Sequence, residues 1–361
     1  MLYLLLFPLS ESVSFFNVFR YITFRGAYAA VTALLLSFLL GPCIIRRLRR
    51  KQFVEVGSDL QPETHRAKQG TPTMGGILVL LSLLVPTLLW ADITNRYIQM
   101  ILATTIWLGA IGLLDDYLKV VKKFPRGLVG RYKLAGQIFL GLVLGVILTV
   151  YAPETEWATK TTVPFFKNAV VDFRFLYVPF VVLVIAGFSN GVNLTDGLDG
   201  LAIGLVALAA FTFAGMAYLT GNAKFAEYLN IPFLAGVGEL TVFCAALAGA
   251  ALGFLCFNPN PAQVFMWDTR SLALGGALAA VAVFIKMEFL LALVGGVFVI
   301  EVLSVVIQVL SFKRRGKRVF RMAPIHHHFE MSGWPEQRVV VRFWIIGILF
   351  ALLSLSTLKL R

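Results

Sequence analysis

Residues 201–220 read LAIGLVALAAFTFAGMAYLT, twenty consecutive positions without a charged side chain. An α-helix needs about 20 apolar residues to cross the roughly 30 Å of hydrocarbon in a bilayer, so this stretch predicts a membrane-spanning helix. The rest of the chain fits that environment. Of its 361 residues, 58% are hydrophobic and 14% are charged, whereas soluble domains have about 45–50% and about 25%.

Nine further apolar runs follow the same pattern. They lie near 23–45, 74–92, 97–114, 134–152, 175–193, 237–257, 271–285, 289–311 and 339–358. The expected fold is an all-α polytopic membrane protein with about ten transmembrane helices, forming one integral-membrane domain over residues 1–361. Three cysteines fall within or beside these runs without metal-ligand spacing, so Cys43, Cys244 and Cys256 are predicted to be core thiols.

The placement of Lys and Arg predicts how the chain crosses the membrane. Ten helices leave both termini on one side, and basic loops stay in the cytoplasm. One set of loops (46–68, 119–133, Arg270 and 313–321) holds twenty Lys and Arg residues, and the opposite set holds eight. Both termini are therefore expected on the side of the membrane opposite the cytoplasm, together with the 153–174 loop.

The net charge of +13 is concentrated in the cytoplasmic loops, where it suits anionic lipid headgroups or anionic substrates. Nucleic acid is a poor alternative partner, because the cations are divided among loops and form no separate basic domain or nucleic-acid motif.

Polar clusters gather at the ends of the spans that this topology places in the cytoplasm. They are HRAKQGTPTMGG (65–76), DDY (115–117), NGVNLTDGLDG (190–200), NPNPAQVFMWDTRS (258–271) and APIHHHFE (323–330). They are expected to converge on one site at the cytoplasmic face. A secondary transporter is the alternative from another class, but it would place polar residues near the midplane and show repeat symmetry.

Three carboxylates form a candidate metal site. Asp115 and Asp116 end the third span, and Asp268 precedes the eighth. Together they offer the hard oxygen ligands that hold Mg²⁺ on a diphosphate. Neighbouring helical residues point about 100° apart, so different roles for Asp115 and Asp116 are favoured over a symmetric chelate. The simpler interpretations are that Asp116 pairs with Lys119 or Lys122, and that Asp268 caps a helix.

Two further clusters suit phosphate or nucleotide. Asn190, Asn193, Asp196 and Asp199 recur every three residues, which in a helix makes a polar stripe, and the nearby glycines permit a break that exposes backbone donors. Three consecutive histidines, 326–328, cannot all point the same way, so a pair that binds phosphate or stabilises the loop is favoured over a three-ligand metal site. The GTPTMGG run lacks the Lys-Ser/Thr ending of a P-loop.

In their order along the chain these motifs resemble those of one family, the phospho-N-acetylmuramoyl-pentapeptide transferases (translocase I) of bacterial peptidoglycan synthesis. The similarity extends almost end to end. It covers FNVF (16–19), GTPTMGG (70–76), DDY (115–117), NLTDGLDG (193–200), NPAQVFM (260–266), SLALGG (271–276), APIHHHFE (323–330) and the helix of Trp344. The triple histidine and the TPTMGG run favour this family over its sister group, which transfers N-acetylhexosamine phosphate.

The resemblance implies a ten-helix, Mg²⁺-dependent enzyme of cell wall biogenesis. Such an enzyme transfers phospho-MurNAc-pentapeptide from UDP-MurNAc-pentapeptide to undecaprenyl phosphate, giving lipid I and UMP. Family members are often dimers, so the resemblance is also compatible with a homodimer. By the same resemblance Asp268 is the principal Mg²⁺ ligand, Asp115 the base or nucleophile near the lipid phosphate, and Asp116 its acidic partner.

The resemblance also implies a set of substrate-binding residues. Phe265 is suited to stack on uracil, Lys133 matches a basic position near the phosphates, and His326 and His327 match the histidine motif. The residues matching the nucleotide pocket are Lys68, Thr73, Asn190, Asn193, Asp196, Asp199 and Phe265.

The chain departs from the family pattern beside its own metal ligand. Where the family reads Gly-Asp-Val-Gly-Ser, this chain reads Trp267-Asp268-Thr269-Arg270-Ser271. Glycine tolerates positive φ and close backbone approach, whereas Trp and Arg do not. The departure therefore predicts a displaced loop, in which Arg270 pairs with an active-site aspartate, and it keeps open the alternative of a catalytically impaired relative.

Overall fold

The computed structural model describes residues 1–50, 75–122, 124, 127–151, 155–166, 169–264 and 268–359. This part of the chain is almost entirely helical. Its α-helices are α1 (Leu2–Leu6), α2 (Ile22–Arg50), α3 (Gly76–Trp90), α4 (Arg96–Val120), α5 (Gly130–Val150), α6 (Tyr177–Thr195), α7 (Leu201–Thr220), α8 (Ala223–Leu229), α9 (Leu240–Leu255), α10 (Asp268–Phe284), α11 (Glu288–Val294), α12 (Gly296–Arg315), α13 (Ile325–Glu330) and α14 (Glu336–Ser356).

Among the described residues, eight helical segments are long and apolar enough to cross a membrane, so the chain is a polytopic membrane protein. They are built on α2, α4, α5, α6, α7, α9, α12 and α14. Helices α3 and α10 coincide with two further predicted spans but are shorter, with 15 and 17 residues. The count of ten and the orientation in the membrane stay predictions.

The run at 289–311, predicted as one span, is two helices. Helix α11 ends at Val294 and α12 begins at Gly296. A Cβ at Gly295 would overlap the ring of Phe188, and one at Gly296 would lie 2.7 Å from the ring of Phe350. Adjacent glycines weaken a helix and allow aromatic rings to approach its backbone, which is the physical reason for the break.

Helix α10 lies at the centre of the bundle. Every residue from Thr269 to Phe284 is buried, as expected for a helix that is apolar on all sides. It packs mainly against α4 and α6. Helix α4 approaches it closely at Gly112, where a Cβ would overlap the backbone of Asp268 and Thr269. Small residues at such crossings let membrane helices pack backbone to backbone.

A two-stranded antiparallel hairpin, β1 (Lys160–Thr162) and β2 (Val170–Asp172), packs near the turn between α10 and α11. The backbone N–H of Thr162 donates to the carbonyl of Lys286 at 3.1 Å. In the same turn, Lys286 donates to the Tyr177 hydroxyl at 2.7 Å, which in turn donates to Glu288 at 2.7 Å. These polar contacts hold an element that would be marginal in isolation.

The outer surface is apolar, with large side chains such as Leu39 and Leu183 well exposed. Lipid solvates such a surface, so exposure does not mean contact with water. The prediction of three core thiols is correct for Cys244 and wrong for Cys43 and Cys256, which lie on this surface. Hydropathy does not separate the two settings because lipid and protein interior are similarly apolar.

Candidate active site

Three carboxylates from two helices meet at one end of the bundle. Asp115 and Asp116 lie in the last part of α4, and Asp268 is the first residue of α10. Each offers an oxygen atom, and the three oxygens lie within 4.8 Å of one another. Asp115 and Asp116 are fully buried, whereas 16% of the Asp268 side chain is exposed.

Two lysines bridge this cluster. Lys119 Nζ lies 2.5 Å from Oδ2 of Asp115 and 3.2 Å from Oδ2 of Asp268. Lys133 Nζ, from the first turn of α5, lies 3.0 Å and 2.5 Å from the same two oxygens. Two ammonium groups thus offset part of the charge of three carboxylates, which cannot be packed this tightly without compensation.

The neighbouring aspartates of α4 have different partners. Asp115 Oδ1 accepts from the backbone N–H of Leu128 at 2.6 Å. Asp116 Oδ2 accepts from the backbone N–H of Thr269 at 3.1 Å and from the Thr269 hydroxyl. The simpler interpretation that Asp116 pairs with Lys119 is therefore wrong for the described contacts, since the lysine pairs with Asp115. The Asp268 carboxylate is directed at the lysines and not at its own helix N-terminus.

The donor set fits a small divalent cation. Oxygens of an octahedral Mg²⁺ site lie about 2.1 Å from the ion, so ligand pairs are separated by about 3–4 Å. Carboxylate oxygens within 4.8 Å of one another reach this range after small rotations. Asp115, Asp116 and Asp268 are therefore the residues that could hold Mg²⁺.

The Asn/Asp cluster is split between a helix and a turn. Helix α6 ends at Thr195, so the polar stripe predicted through residues 190–199 is wrong beyond Asn193. Gly200 has φ +80°, a conformation that favours glycine, and it sets the turn into α7. The turn after α6 lies close to the carboxylate cluster. Asp196 is near enough to Asp116, Asp268 and Arg270 for electrostatic interaction with each of them.

Helix residues of this cluster bind neighbouring elements. Asn193 Oδ1 accepts from the Ser271 hydroxyl at 2.6 Å, which ties α6 to α10. Asn190 Nδ2 donates to Gln137 Oε1 at 2.7 Å, which ties α6 to α5. Both asparagines therefore brace the helices around the carboxylates, and they remain partly exposed.

Asp199 organises the loop on the other side of the turn. Its Oδ2 accepts from the backbone N–H of Ala262 at 3.3 Å and from Asn260 Nδ2 at 3.4 Å. Its own backbone N–H donates to Glu336 Oε1 at 2.8 Å, and Asn260 Nδ2 donates to the other Glu336 oxygen at 2.5 Å. The start of α14 is thereby joined to the turn.

The three histidines divide as expected from their spacing. His326 and His327 lie side by side, with ring centroids 4.1 Å apart, and both Nε2 atoms approach Gly197 of the turn. Nδ1 of His327 lies 2.7 Å from Glu330 Oε2. His328 points elsewhere and accepts from the backbone N–H of Arg321 at 3.2 Å. His326 is fully buried, whereas 13% of the His327 side chain is exposed.

Four predicted positions, Lys68, Thr73, Phe265 and Trp267, lie outside the described residues. The structure does describe Arg270, the other unusual residue of that loop. Its guanidinium lies 3.8 Å from the ring centroid of Phe254 and is fully buried. None of its three nitrogens has a hydrogen bond. The predicted ion pair with an active-site aspartate is not among the described salt bridges, and Asp268 lies with the other carboxylates.

Sequence reasoning missed several residues that shape this site. Lys119 was considered only as a partner of Asp116, although its i+4 spacing from Asp115 favours an ion pair. Glu301 was overlooked, although an acidic residue inside an apolar run is itself a signal of function. The other missed contacts are made by Gln137, Asn260, Thr269, Ser271, Glu330 and Glu336.

Comparison with known proteins identifies the family of this chain. The family model for Glycosyl transferase family 4 matches residues 98–286, which contain all three carboxylates. A phospho-N-acetylmuramoyl-pentapeptide-transferase signature matches residues 68–80. The chain is 54% identical to the phospho-N-acetylmuramoyl-pentapeptide-transferase of Pelobacter propionicus, 53% to that of Citrifermentans bemidjiense and 50% to that of Thermodesulfovibrio yellowstonii, each over the full length of both chains.

The chain belongs to the phospho-N-acetylmuramoyl-pentapeptide transferase family. This assignment disfavours the alternative hypothesis of a secondary transporter. The family match ends at residue 286 and the signature at residue 80, so the histidine segment lies outside both matched regions. In the structure this segment contacts the matched part of the chain, because His326 and His327 lie against Gly197.

Proposed function

We propose that the protein transfers phospho-MurNAc-pentapeptide from UDP-MurNAc-pentapeptide to undecaprenyl phosphate at the cytoplasmic face of the inner membrane, forming lipid I and releasing UMP. The observation that carries this proposal is the cluster of Asp115, Asp116 and Asp268 bridged by Lys119 and Lys133. Carboxylates and ammonium groups at one point suit a reaction between two phosphate-bearing substrates.

In the proposed reaction, an oxygen of the lipid phosphate attacks the β-phosphorus of the nucleotide. The bond between that phosphorus and the bridging oxygen breaks, and UMP leaves with the electron pair. Asp115 would accept a proton from the lipid phosphate if that group arrives protonated. Lys119 and Lys133 offset the negative charge that develops on the phosphate oxygens, an effect that is strong where water is excluded.

Asp116 and Asp268 complete the set that would hold Mg²⁺, with Asp268 as the main ligand because it is the more exposed of the three. Bound there, Mg²⁺ would draw electron density from the diphosphate. Thr269 fixes Asp116 by two hydrogen bonds, so this carboxylate is oriented before any ligand arrives. The turn that carries Asp196 and Asp199 is the proposed seat of the nucleotide.

The proposal is tested with the purified full-length chain in lipid nanodiscs. UDP-MurNAc-pentapeptide, undecaprenyl phosphate and Mg²⁺ are supplied, and lipid I and UMP are quantified. Formation of both products in equal amounts, dependent on each substrate, is the expected result. Release of UMP without lipid I, or uptake of a solute into vesicles without either product, would contradict the proposal.

A further inference from the structure

Glu301 and His326 form a buried pair next to the proposed nucleotide site. Glu301 lies inside α12 and His326 in α13, with Oε1 3.1 Å from Nδ1. Both side chains are fully buried, and none of their polar side-chain atoms has a well-aligned hydrogen bond. Glu301 also lies within a helix apolar enough to cross the membrane, where an uncompensated carboxylate is costly.

The pair can be neutral overall, either as carboxylate with imidazolium or as carboxylic acid with imidazole. A buried acid whose partner is lost would remain unpaired, which is strongly destabilising. Glu301 therefore constrains where the His326 ring lies. If His326 moved away, the Glu301 carboxylate would be left buried without a partner or would have to become exposed.

The opposite edge of the His326 ring faces the turn between α6 and α7. A Cβ at Gly197 would overlap His326 Nε2 and would lie 3.1 Å from His327 Nε2. Gly197 separates Asp196 from Leu198 and Asp199, so the two rings support the backbone from which both aspartates project. His326 is completely enclosed between Glu301 and this backbone.

We propose that Glu301 is a positioning residue for the nucleotide sugar. It acts through His326, which transmits its position to the turn at Gly197 and so to Asp196 and Asp199. This inference rests on the proposed function, and it adds a residue from α12 that touches no substrate. A shift of about 1 Å in a binding group is enough to lower affinity or rate strongly.

The decisive variant is Glu301→Gln, which keeps the size of the side chain and removes its charge. We expect the KM for UDP-MurNAc-pentapeptide to rise about tenfold, while kcat and the KM for undecaprenyl phosphate change less than about twofold. A rise in KM at unchanged kcat shows that the lost interaction stabilised the bound substrate and the transition state equally. Ser304→Ala is the matched control, since Ser304 lies on the same helix, is buried and donates only to the carbonyl of Glu301.

A double-mutant cycle with His326→Asn tests the route. If Glu301 acts through His326, the double variant should be no worse than the worse single variant. Losses that multiply, a kcat defect at unchanged KM, or kinetics of Glu301→Gln equal to those of the parent would each overturn the inference. Calorimetric binding of UDP-MurNAc-pentapeptide gives the same comparison without turnover, so it separates this inference from failure of the proposed reaction.

If Glu301→Gln does not fold, Glu301→Asp gives the same comparison. It keeps the charge but shortens the side chain by one methylene group, which moves the carboxylate away from His326 Nδ1. The same selective rise in KM for the nucleotide sugar supports the inference. An unchanged KM overturns it.

Discussion

Lys133 Nζ and Asp268 Oδ2 meet at 2.5 Å, although the two residues are 135 positions apart and belong to different helices. Lys133 therefore pairs with a carboxylate oxygen that would also be a ligand of the proposed metal ion. In the proposed mechanism the ammonium group and a divalent cation would compete for this oxygen atom. The reaction would need both, because the ammonium group offsets phosphate charge and the cation is held by the carboxylates.

The first prediction follows from that competition. Lys133→Met should increase the apparent affinity for Mg²⁺ several-fold, since Asp268 loses a competing cation, and should lower kcat at saturating Mg²⁺ at least about tenfold, since a charge stabiliser is lost. Lys122→Met is the control, because it removes an exposed lysine that lies just after the end of α4. A Mg²⁺ titration of lipid I formation measures both effects. Parallel loss of kcat and Mg²⁺ affinity would show that Lys133 supports the metal instead of opposing it.

The second prediction concerns the carboxylates. Asp115→Asn, Asp116→Asn and Asp268→Asn should each reduce turnover by at least about a hundredfold, the scale of losing a base or a main charge stabiliser. Asp268→Asn should also raise the Mg²⁺ requirement most. Asp172→Asn, on the hairpin, should leave turnover within about twofold. Near-normal turnover in any of the three would remove that residue from the mechanism.

The third prediction addresses Trp267 and Arg270, at positions where the family has glycine. Trp267→Gly/Arg270→Gly should raise turnover about tenfold or more and lower the Mg²⁺ requirement. Asp268 lies with the other carboxylates, but a loop that costs even about 1.4 kcal/mol of transition-state stabilisation would slow the reaction tenfold. The buried Arg270 guanidinium, without a hydrogen bond, is the structural reason to expect strain at this point. If the double variant is no faster and needs no less Mg²⁺, the loop is compatible with catalysis as it stands.

The fourth prediction concerns orientation in the membrane. Single cysteines are placed at Lys160 or at Arg315 after serine replaces Cys43, Cys244 and Cys256. The cells are converted to spheroplasts, so that the outer, periplasmic surface of the inner membrane is accessible. A membrane-impermeant maleimide should then label position 160 and not position 315. Residual lipid I synthesis confirms that each variant is folded. Labelling at 315 alone would invert the topology and separate the active site from its cytoplasmic substrate.

The fifth prediction concerns pH and the hairpin. Burial lowers the pKa of Lys286 to about 8, against the opposing charge of Glu288. The unfolded chain keeps this proton up to about pH 10.4. Between these values the unfolded state binds more protons, so this lysine makes stability rise with pH, by on the order of 2–3 kcal/mol.

The pH effect is measured by thermal unfolding in detergent at pH 7.5 and at pH 9.5. Lys286→Met should remove most of the rise while other titrating groups continue to act in both proteins. Lys160→Met, a partly exposed lysine in β1, is the control. Equal differences between the two pH values in parent and Lys286→Met would contradict the prediction.

The length of the apolar runs predicted most of the helices, because about 20 apolar residues are needed wherever a helix crosses lipid. The break at Gly295 was missed, since its cause is packing of Phe188 and Phe350 against the glycines, which hydropathy does not record. The exposed positions of Cys43 and Cys256 were missed for a related reason. Hydropathy measures preference for an apolar solvent, and lipid and protein core are both apolar.

For the site, the sequence indicated Asp115, Asp116 and Asp268 because carboxylates at the depth of an apolar span are costly and usually mark function or a partnered pair. It did not reveal that Lys119 and Lys133 bridge the same two oxygens, since that depends on how α4, α5 and α10 pack. The pairing of Glu301 with His326 was hidden for the same reason. The sequence predicted the three carboxylates that the structure brings together, and not the side chains that contact them.

The crossing of α4 and α10 at Gly112 fixes how far Asp115 and Asp116 lie from Asp268, because no side chain separates the two backbones there. The spacing of the carboxylates is thus a property of helix packing and not of a loop. Packing against neighbouring helices sets the tilt and rotation of membrane helices. The geometry of the candidate metal site should therefore be largely independent of the acyl-chain length of the host membrane.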